Sequence, residues 1–263
     1  MAESLVFNMD CMEGMRQFPD GFFDLAVVDP PYGINITGRH RSKTVHVERE
    51  RGKRESSAAP DVRSAVCGSY GRGRPPIQRR AVSGYSSACK KLKIESKFYH
   101  AFDDSSPPDA AYFKELARVS KQRIIWGGNF FDGLGPASCM IIWDKMRRGM
   151  DQADCEIAWT NLPGQSRIFE FRWNGMLQGD MQNKETRIHP TQKPVALYRW
   201  IFQHYTKPGF KILDTHLGSG SSRIAAYDAG LDFWGYELDK VYFDLMQARF
   251  DRHAAQMNLF LDA

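Results

Sequence analysis

Two short apolar runs that stop abruptly at polar, chemistry-bearing loops constrain this chain most. Residues 23–28 (Phe-Asp-Leu-Ala-Val-Val) end at Asp29-Pro-Pro-Tyr32, and residues 210–213 (Phe-Lys-Ile-Leu) end at Asp214 and a glycine loop. The first run is apolar at nearly every position, so as a strand it needs cover on both faces, which is the situation of a strand in a parallel sheet. Parallel neighbours need crossovers, and the intervening sequence supplies them. Residues 11–18 have helical spacing (Met12, Met15, Phe18) before Pro19-Asp20-Gly21 breaks it. Pro107-Pro108-Asp109 opens a helix through Val119, with Tyr112, Phe113, Leu116 and Ala117 on one stripe. Thr191 is placed to cap a helix carrying Pro194 in its first turn, with Val195, Leu197, Tyr198, Ile201 and Phe202 on its apolar face and a stop at Pro208-Gly209. A further helix spans residues 221–229 and closes at Gly230. Residues 5–9, 123–126, 140–143, 155–159 and 233–236 read as additional strands. The alternation predicts an α/β fold with an open, doubly wound sheet.

At 263 residues and 42% hydrophobic content, the chain is long enough to build one sizeable domain over residues 1–263. No apolar run reaches the ~18 residues that a membrane span needs. The start, Met1 to Asp10, lacks the basic and apolar regions of a secretion signal. Five cysteines (Cys11, Cys67, Cys89, Cys139, Cys155) are widely spaced with no CxxC pair, which predicts reduced thiols and a cytoplasmic protein without membrane partners. Charge is unevenly distributed. Between Gly33 and Tyr99 there are 16 Lys or Arg against 5 Asp or Glu, a local balance of +11, so within a total of +5 the rest of the chain carries −6. Residues 33–97 read as a basic, poorly structured insertion serving a polyanion, or as a solvated loop; charge alone does not separate the two.

Asp214-Thr-His-Leu-Gly-Ser-Gly-Ser-Ser222 follows a strand and opens a helix. Gly218 and Gly220 carry no side chain that would keep a ligand from the backbone. Glu237 follows the next strand, 19 residues after Gly218, the offset of an acid that accepts a ribose hydroxyl in nucleotide sites. Arg223 stands where a dinucleotide fingerprint has its third small residue, which disfavours NAD. A tight strand-to-helix turn without a ligand would also use these glycines.

Asp29-Pro30-Pro31-Tyr32 is the sharper signal, because each residue type answers a chemical need. An exocyclic amine on a base is a poor nucleophile, its lone pair being delocalised into the ring. A carboxylate and a backbone carbonyl can each accept one amino hydrogen, leaving the lone pair aimed at an electrophile. Asp29 would also stabilise the charge that develops on the nitrogen. Pro31 holds Pro30 extended, which aims its carbonyl, and Tyr32 offers a flat face on which a base can stack.

With these motifs the chain resembles the amino-group DNA methyltransferases, and their order points to the beta class, in which the catalytic tetrapeptide precedes the glycine loop. His189-Pro-Thr-Gln-Lys-Pro194 looks like the cofactor-contacting segment of that family, and Asn8-Met-Asp-Cys11 like its adenine-side contact. The resemblance covers residues 4–32 and 98–250. It implies a Rossmann-like methyltransferase sheet, mostly parallel with one reversed strand. It also implies transfer of a methyl group from S-adenosylmethionine to adenine N6 or cytosine N4 of a flipped-out base in double-stranded DNA, with adenine N6 the expected target. Asp29, Pro30, Pro31 and Tyr32 would be catalytic. Asp10, Cys11, His189, Thr191, Lys193, Asp214, Gly218, Ser219, Gly220 and Glu237 would bind the cofactor, without a metal. In the basic insertion Arg72, Arg74, Arg79, Arg80, Lys90 and Lys91 would contact DNA phosphates. Two departures stand out: Thr215-His216 replaces the family's Pro-Phe, and Ser221-Ser222 closes a loop that often carries Thr. His216, without partner ligands, reads as a pocket wall. The aromatic segment Phe169, Phe171, Trp173 reads either as core or as a face toward nucleic acid.

Cytosine N4 is the alternative target, and a non-catalytic DNA-binding regulator a further one. Asp at position 29 leans toward adenine in this family. A homodimer and a restriction endonuclease partner, as in a restriction-modification system, are left open by the sequence.

Overall fold

The computed structural model describes residues 2–34, 99–100, 104–149, 153–174 and 177–261, with side chains described as far as residue 256. The basic segment, including Arg72, Arg74, Arg79, Arg80, Lys90 and Lys91, lies outside the described residues.

Among the described residues ten strands are formed: β1 (Ser4–Phe7), β2 (Phe23–Val28), β3 (Ser120–Trp126), β4 (Met140–Asp144), β5 (Cys155–Thr160), β6 (Arg167–Glu170), β7 (Trp173–Asn174), β8 (Leu177–Gln178), β9 (Lys211–Asp214) and β10 (Asp232–Tyr236). The α-helices of the described residues are α1 (Cys11–Met15), α2 (Ala110–Val119), α3 (Val195–Tyr205), α4 (Ser221–Asp228) and α5 (Lys240–Leu261). Eight strands make one sheet in the order β1-β10-β9-β2-β3-β5-β4-β6. Every neighbouring pair is parallel except β3–β5 and β5–β4, so β5 alone runs backwards. β7 and β8 form a separate antiparallel ribbon.

The sheet is covered on both faces, as the apolar run of β2 requires. Leu25 and Val27 join one core layer with Leu197, Ile201 and Phe202 of α3 and Ile224 and Ala225 of α4. Ala26 and Val28 join the opposite layer with Met15 of α1 and Tyr112, Leu116 and Val119 of α2. In α2 those three residues follow helical spacing, and the Asp109 side chain caps the helix by accepting the N–H of Tyr112 at 3.0 Å. Each such fully buried side chain stabilises the fold by about 1.5–3 kcal/mol relative to exposure.

Two expectations are corrected. Helix α1 stops at Met15, not Phe18; beyond it the Gln17 and Phe18 N–H groups turn to the i−3 carbonyls of Gly14 and Met15, at 3.2 and 3.1 Å. Thr191 does not cap α3; Pro194 occupies that position without a side-chain cap, and the Thr191 hydroxyl lies 3.0 Å from Nδ1 of His189. Phe169 and Phe171 pack against the core and Trp173 is buried in it. The long α5 follows a sequence whose apolar periodicity is weak; Tyr242, Met246 and Phe250 are its buried residues.

The chain steps from β2 to β3 on one side and returns through β9 on the other. The order therefore reverses between β2 and β9, and in such sheets ligands settle at the carboxyl ends on either side of that reversal. Asp29 directly follows β2, and Asp214 closes β9.

Candidate active site

A cavity of about 640 Å³ opens at this switch point, within the range of small-molecule sites. It is lined by residues that follow β1 (Met9–Met12), β2 (Asp29–Tyr32), β9 (Thr215–Ser219) and β10 (Glu237–Asp239), and by His189, Thr191 and Lys193 from the segment before α3. Sequence positions 180 and more apart thus share one wall because parallel strands all end on the same side.

The Asp29 loop is fixed from several directions. Asp104, itself buried, accepts the backbone N–H groups of Tyr32 at 2.9 Å and Gly33 at 3.1 Å. Tyr32 donates its hydroxyl to Asp29 at 2.6 Å. Its ring stacks on Phe130 with centroids 5.0 Å apart, so one face is already covered. The ring fits because Gly127, at φ +70°, has no Cβ; one built there would stand 2.2 Å from the ring.

Lys193 is the centre of the charge pattern. Its ammonium pairs with Asp29 and lies 3.1 Å from Glu156, and Lys145 pairs with Glu156 from its other side. Only 3% of the Lys193 side chain and 16% of that of Asp29 is exposed. Burial pushes the Asp29 carboxyl above its usual range, while Lys193 pulls it down and Glu156 adds to the rise. Glu156, despite its burial, is held down to about 2 by the two lysines. Glu156 reaches the cavity because β5 is reversed: its first residues lie where the parallel strands end. The sequence contained one hint, a single acid in an otherwise uncharged strand (Cys-Glu-Ile-Ala-Trp-Thr).

The segment before α3 is held from below. Trp173 donates its indole N–H to the Gln192 carbonyl at 2.8 Å, and Glu185 accepts the Val195 N–H at 2.9 Å. His189 is buried against the Tyr242 ring, centroids 4.2 Å apart, and burial lowers its pKa to about 4, so it is a neutral imidazole at pH 7.

Across the cavity, Glu237 accepts the N–H groups of Gly218 at 2.7 Å and Asp239 at 2.9 Å. Gly218 and Ser219 line the cavity; Gly220 does not. A Cβ on Gly220 would stand 2.4 Å from the Met246 side chain, so packing against α5 requires this glycine. Asp214 also sits beneath the cavity. It accepts the Ser222 hydroxyl at 2.5 Å and the His216 N–H at 3.0 Å, and burial raises its pKa to about 7. It shapes the loop from the inside. His216 lines the cavity as a wall, its Nδ1 2.9 Å from the Thr215 hydroxyl. Asp10 caps α1 through the Met12 N–H at 2.7 Å, and the neighbouring Cys11 thiol is pushed up to about 12, chiefly by burial. Arg223 points away from the cavity, donating to Ser4 at 3.0 Å and Gln247 at 2.8 Å. Among the described residues no cluster of three or more potential ligands could hold a metal ion, and no helix is long and apolar enough to cross a membrane.

Residues 142–248 match the model of the N6/N4 DNA methylase family. The chain is 38% identical over 63 residues to the putative methylase YubD of Escherichia coli (strain K12), covering 24% of this chain and 28% of that one. It is 35% identical over 79 residues to the type II methyltransferase M2.DpnII of Streptococcus pneumoniae, covering 30% and 29%. It thus spans less than a third of the length of the curated relatives it matches. Solved structures that resemble it include the M1.HpyAVI–SAM complex (TM-score 0.47, 16% identity, 93% of this chain and 98% of that one). Another is the cytosine-N4-specific PvuII DNA methyltransferase (TM-score 0.48, 11% identity, 95% and 87%). The family match and the two curated relatives agree in what they resemble: over these stretches the chain is similar to N6/N4 DNA methylases.

Proposed function

We propose that this protein transfers a methyl group from S-adenosylmethionine to the exocyclic amine of a base in double-stranded DNA, and that the base is adenine, modified at N6. The observation that carries this reading is the placement of Asp29 beside the Glu237–Gly218 clasp in one cavity at the sheet's switch point.

The residues present fit the cofactor. Glu237 offers a carboxylate to a ribose, Gly218 leaves the backbone open, and Asp10 and Cys11 border the side where a base would lie, with His189 and Leu217 as flanking walls. When bound, S-adenosylmethionine supplies a methyl group already activated by its positively charged sulfur. The protein's task is then to present the amine. Asp29 and the Pro30 carbonyl accept its two hydrogens, Tyr32 lies along the base, and the low-polarity surroundings strengthen both contacts. The base must leave the duplex stack to bring its amine to Asp29 inside the cavity. Residues 33–97, which begin directly after Tyr32, would grip phosphates through Arg72, Arg74, Arg79, Arg80, Lys90 and Lys91.

Incubating the protein with DNA and methyl-labelled S-adenosylmethionine, then separating nucleosides by mass spectrometry, tests the reading. N6-methyladenine is expected. Label in N4-methylcytosine alone would move the target to cytosine, and no label in nucleic acid would overturn the proposal.

A further inference from the structure

The pairing of Lys193 with Asp29 gives that lysine a task other than cofactor contact, an inference that rests on the methyl-transfer reading above. We propose that Lys193, braced by Glu156 and Lys145, is a positioning residue that pins the Asp29 carboxylate in its ionised form so that it can receive the target amine.

The case is geometric. A carboxylate that must accept an amino hydrogen has to be charged, yet Asp29 is only 16% exposed where it lines the cavity. Isolated burial of that charge would be met by protonation, which removes an acceptor. The groups that face Asp29 come from every element around it. Lys193 arrives from the segment before α3 and Glu156 from the reversed strand β5. Tyr32 donates from its own loop. Tyr198 of α3, Tyr112 of α2 and Asp214 of β9 feel its charge without bonding to it. Among the described residues Lys193 is the cation in contact with Asp29. Burial alone would tend to strip the Lys193 ammonium of its charge. Asp29 and, after it, Glu156 hold it charged, and Lys145 compensates Glu156 in turn. Two acids and two lysines thus form a neutral chain ending at the reacting group. Lys193 also stands 3.3 Å from the Tyr32 hydroxyl and 5.3 Å from the centre of the Trp126 ring, contacts that fix its direction toward Asp29.

The arrangement predicts opposite responses from two variants. The Asp29 carboxyl band is followed by infrared titration of the ligand-free protein, identified by difference against Asp29→Asn. Lys193→Met should move its titration up by about one to three pH units, since a contacting opposite charge is lost. Glu156→Gln should move it down, because a repelling carboxylate is gone. Lys193→Arg, which keeps the charge, should stay near wild type. The acid limb of the methyl-transfer pH profile should follow the same three directions, and the affinity for S-adenosylmethionine should hardly change. A purely structural role would lower turnover in both charge-removing variants without opposite shifts. The proposal is overturned if the Asp29 titration stays put in Glu156→Gln and Lys193→Met. It is equally overturned if Lys193→Met weakens cofactor binding by about tenfold or more while Asp29 titrates as before. If Lys193→Met does not fold, the Glu156→Gln and Lys193→Arg titrations decide. A wild-type protein that transfers no methyl group would sink the functional reading, while the titrations would still report on the pairing.

Discussion

Glu237 accepts the backbone N–H of Gly218 at 2.7 Å across 19 residues of sequence, tying the end of β10 to the loop that follows β9. The bond makes one carboxylate serve as both a strap for the loop and a polar wall of the cavity. Glu237→Gln should therefore weaken S-adenosylmethionine binding by roughly 1.5–3 kcal/mol, the value of a hydrogen bond to a charged group. Calorimetric titration gives the affinity, and an unchanged value would mean that this carboxylate does not touch the ligand.

Asp29→Asn should abolish methyl transfer and leave cofactor binding nearly intact. The amide keeps the shape and the place beside Tyr32, and Lys193 retains Glu156 as a partner. What is lost is the negative charge facing the amine, and electrostatic stabilisation of this kind is worth about 10²–10³ in turnover. Single-turnover transfer of labelled methyl with parallel calorimetry separates the two effects. Near-normal transfer would place the catalytic carboxylate elsewhere.

The two loop glycines should fail differently. Gly220→Ala forces a Cβ to within 2.4 Å of Met246 at a φ of +71°, so the cost falls on stability, about 1–3 kcal/mol from overpacking and about 1–2 kcal/mol from left-handed backbone. At Gly218 the nearest atoms a Cβ would meet are those of the His189 ring, at 3.7 Å, an ordinary contact, so Gly218→Ala carries the backbone term without overpacking and projects into the cavity wall. Thermal melts should show the larger drop for Gly220→Ala, and calorimetry the larger loss of cofactor affinity for Gly218→Ala.

The strands were the most legible part of the chain because burial on both faces removes ambiguity: residues 23–28 leave no other period to fit. The reversed strand was implied by resemblance and is realised as β5, but nothing in Cys155–Thr160 states its direction. Direction is set by neighbours, and so Glu156 became a cavity residue only once the pairing was known. Lys193 was legible as a member of a motif, yet its partner was not, because the Asp29 contact joins positions 164 residues apart. Gly220 and Asp214 were read as ligand contacts from a pattern in which adjacent residues share one purpose; the loop turns Gly220 toward α5 and Asp214 toward Ser222.

Buried titratable groups give opposed pH dependences. His189 has its pKa lowered to about 4 from 6.5, so the folded state binds fewer protons than the unfolded one between those values. Its contribution is intact above pH 6.5 and is lost as pH falls toward 4, at most roughly 3 kcal/mol. Asp214 is raised to about 7 from 3.8; there the folded state holds the extra proton, and stability falls as pH rises from about 4 to 7. Chemical denaturation at a series of pH values should show His189→Gln losing less stability than wild type on acidification. Asp214→Asn should lose less on going from pH 4 to 7. Parallel curves for variant and wild type would mean that these groups titrate alike in both states.

The basic segment, residues 33–97, should dominate DNA affinity and contribute little to the stability of the fold. It carries +11 of charge and few large apolar residues, so it can bury little surface to offset the entropy of ordering it. The sheet and the two core layers described are built from residues on either side of it. Each phosphate contact releases condensed counterions, so the logarithm of affinity should fall by roughly 0.9 per contact for each tenfold rise in salt. Replacing Arg72, Arg74, Arg79 and Arg80 with Ala should weaken binding and flatten that slope while leaving the melting temperature within a degree or two, about the scale of a surface substitution. DNA affinity measured across a salt series for wild type and the quadruple variant decides the matter. Equal slopes would mean that these arginines neutralise no phosphates, and a large fall in melting temperature would mean that the segment belongs to the folded core.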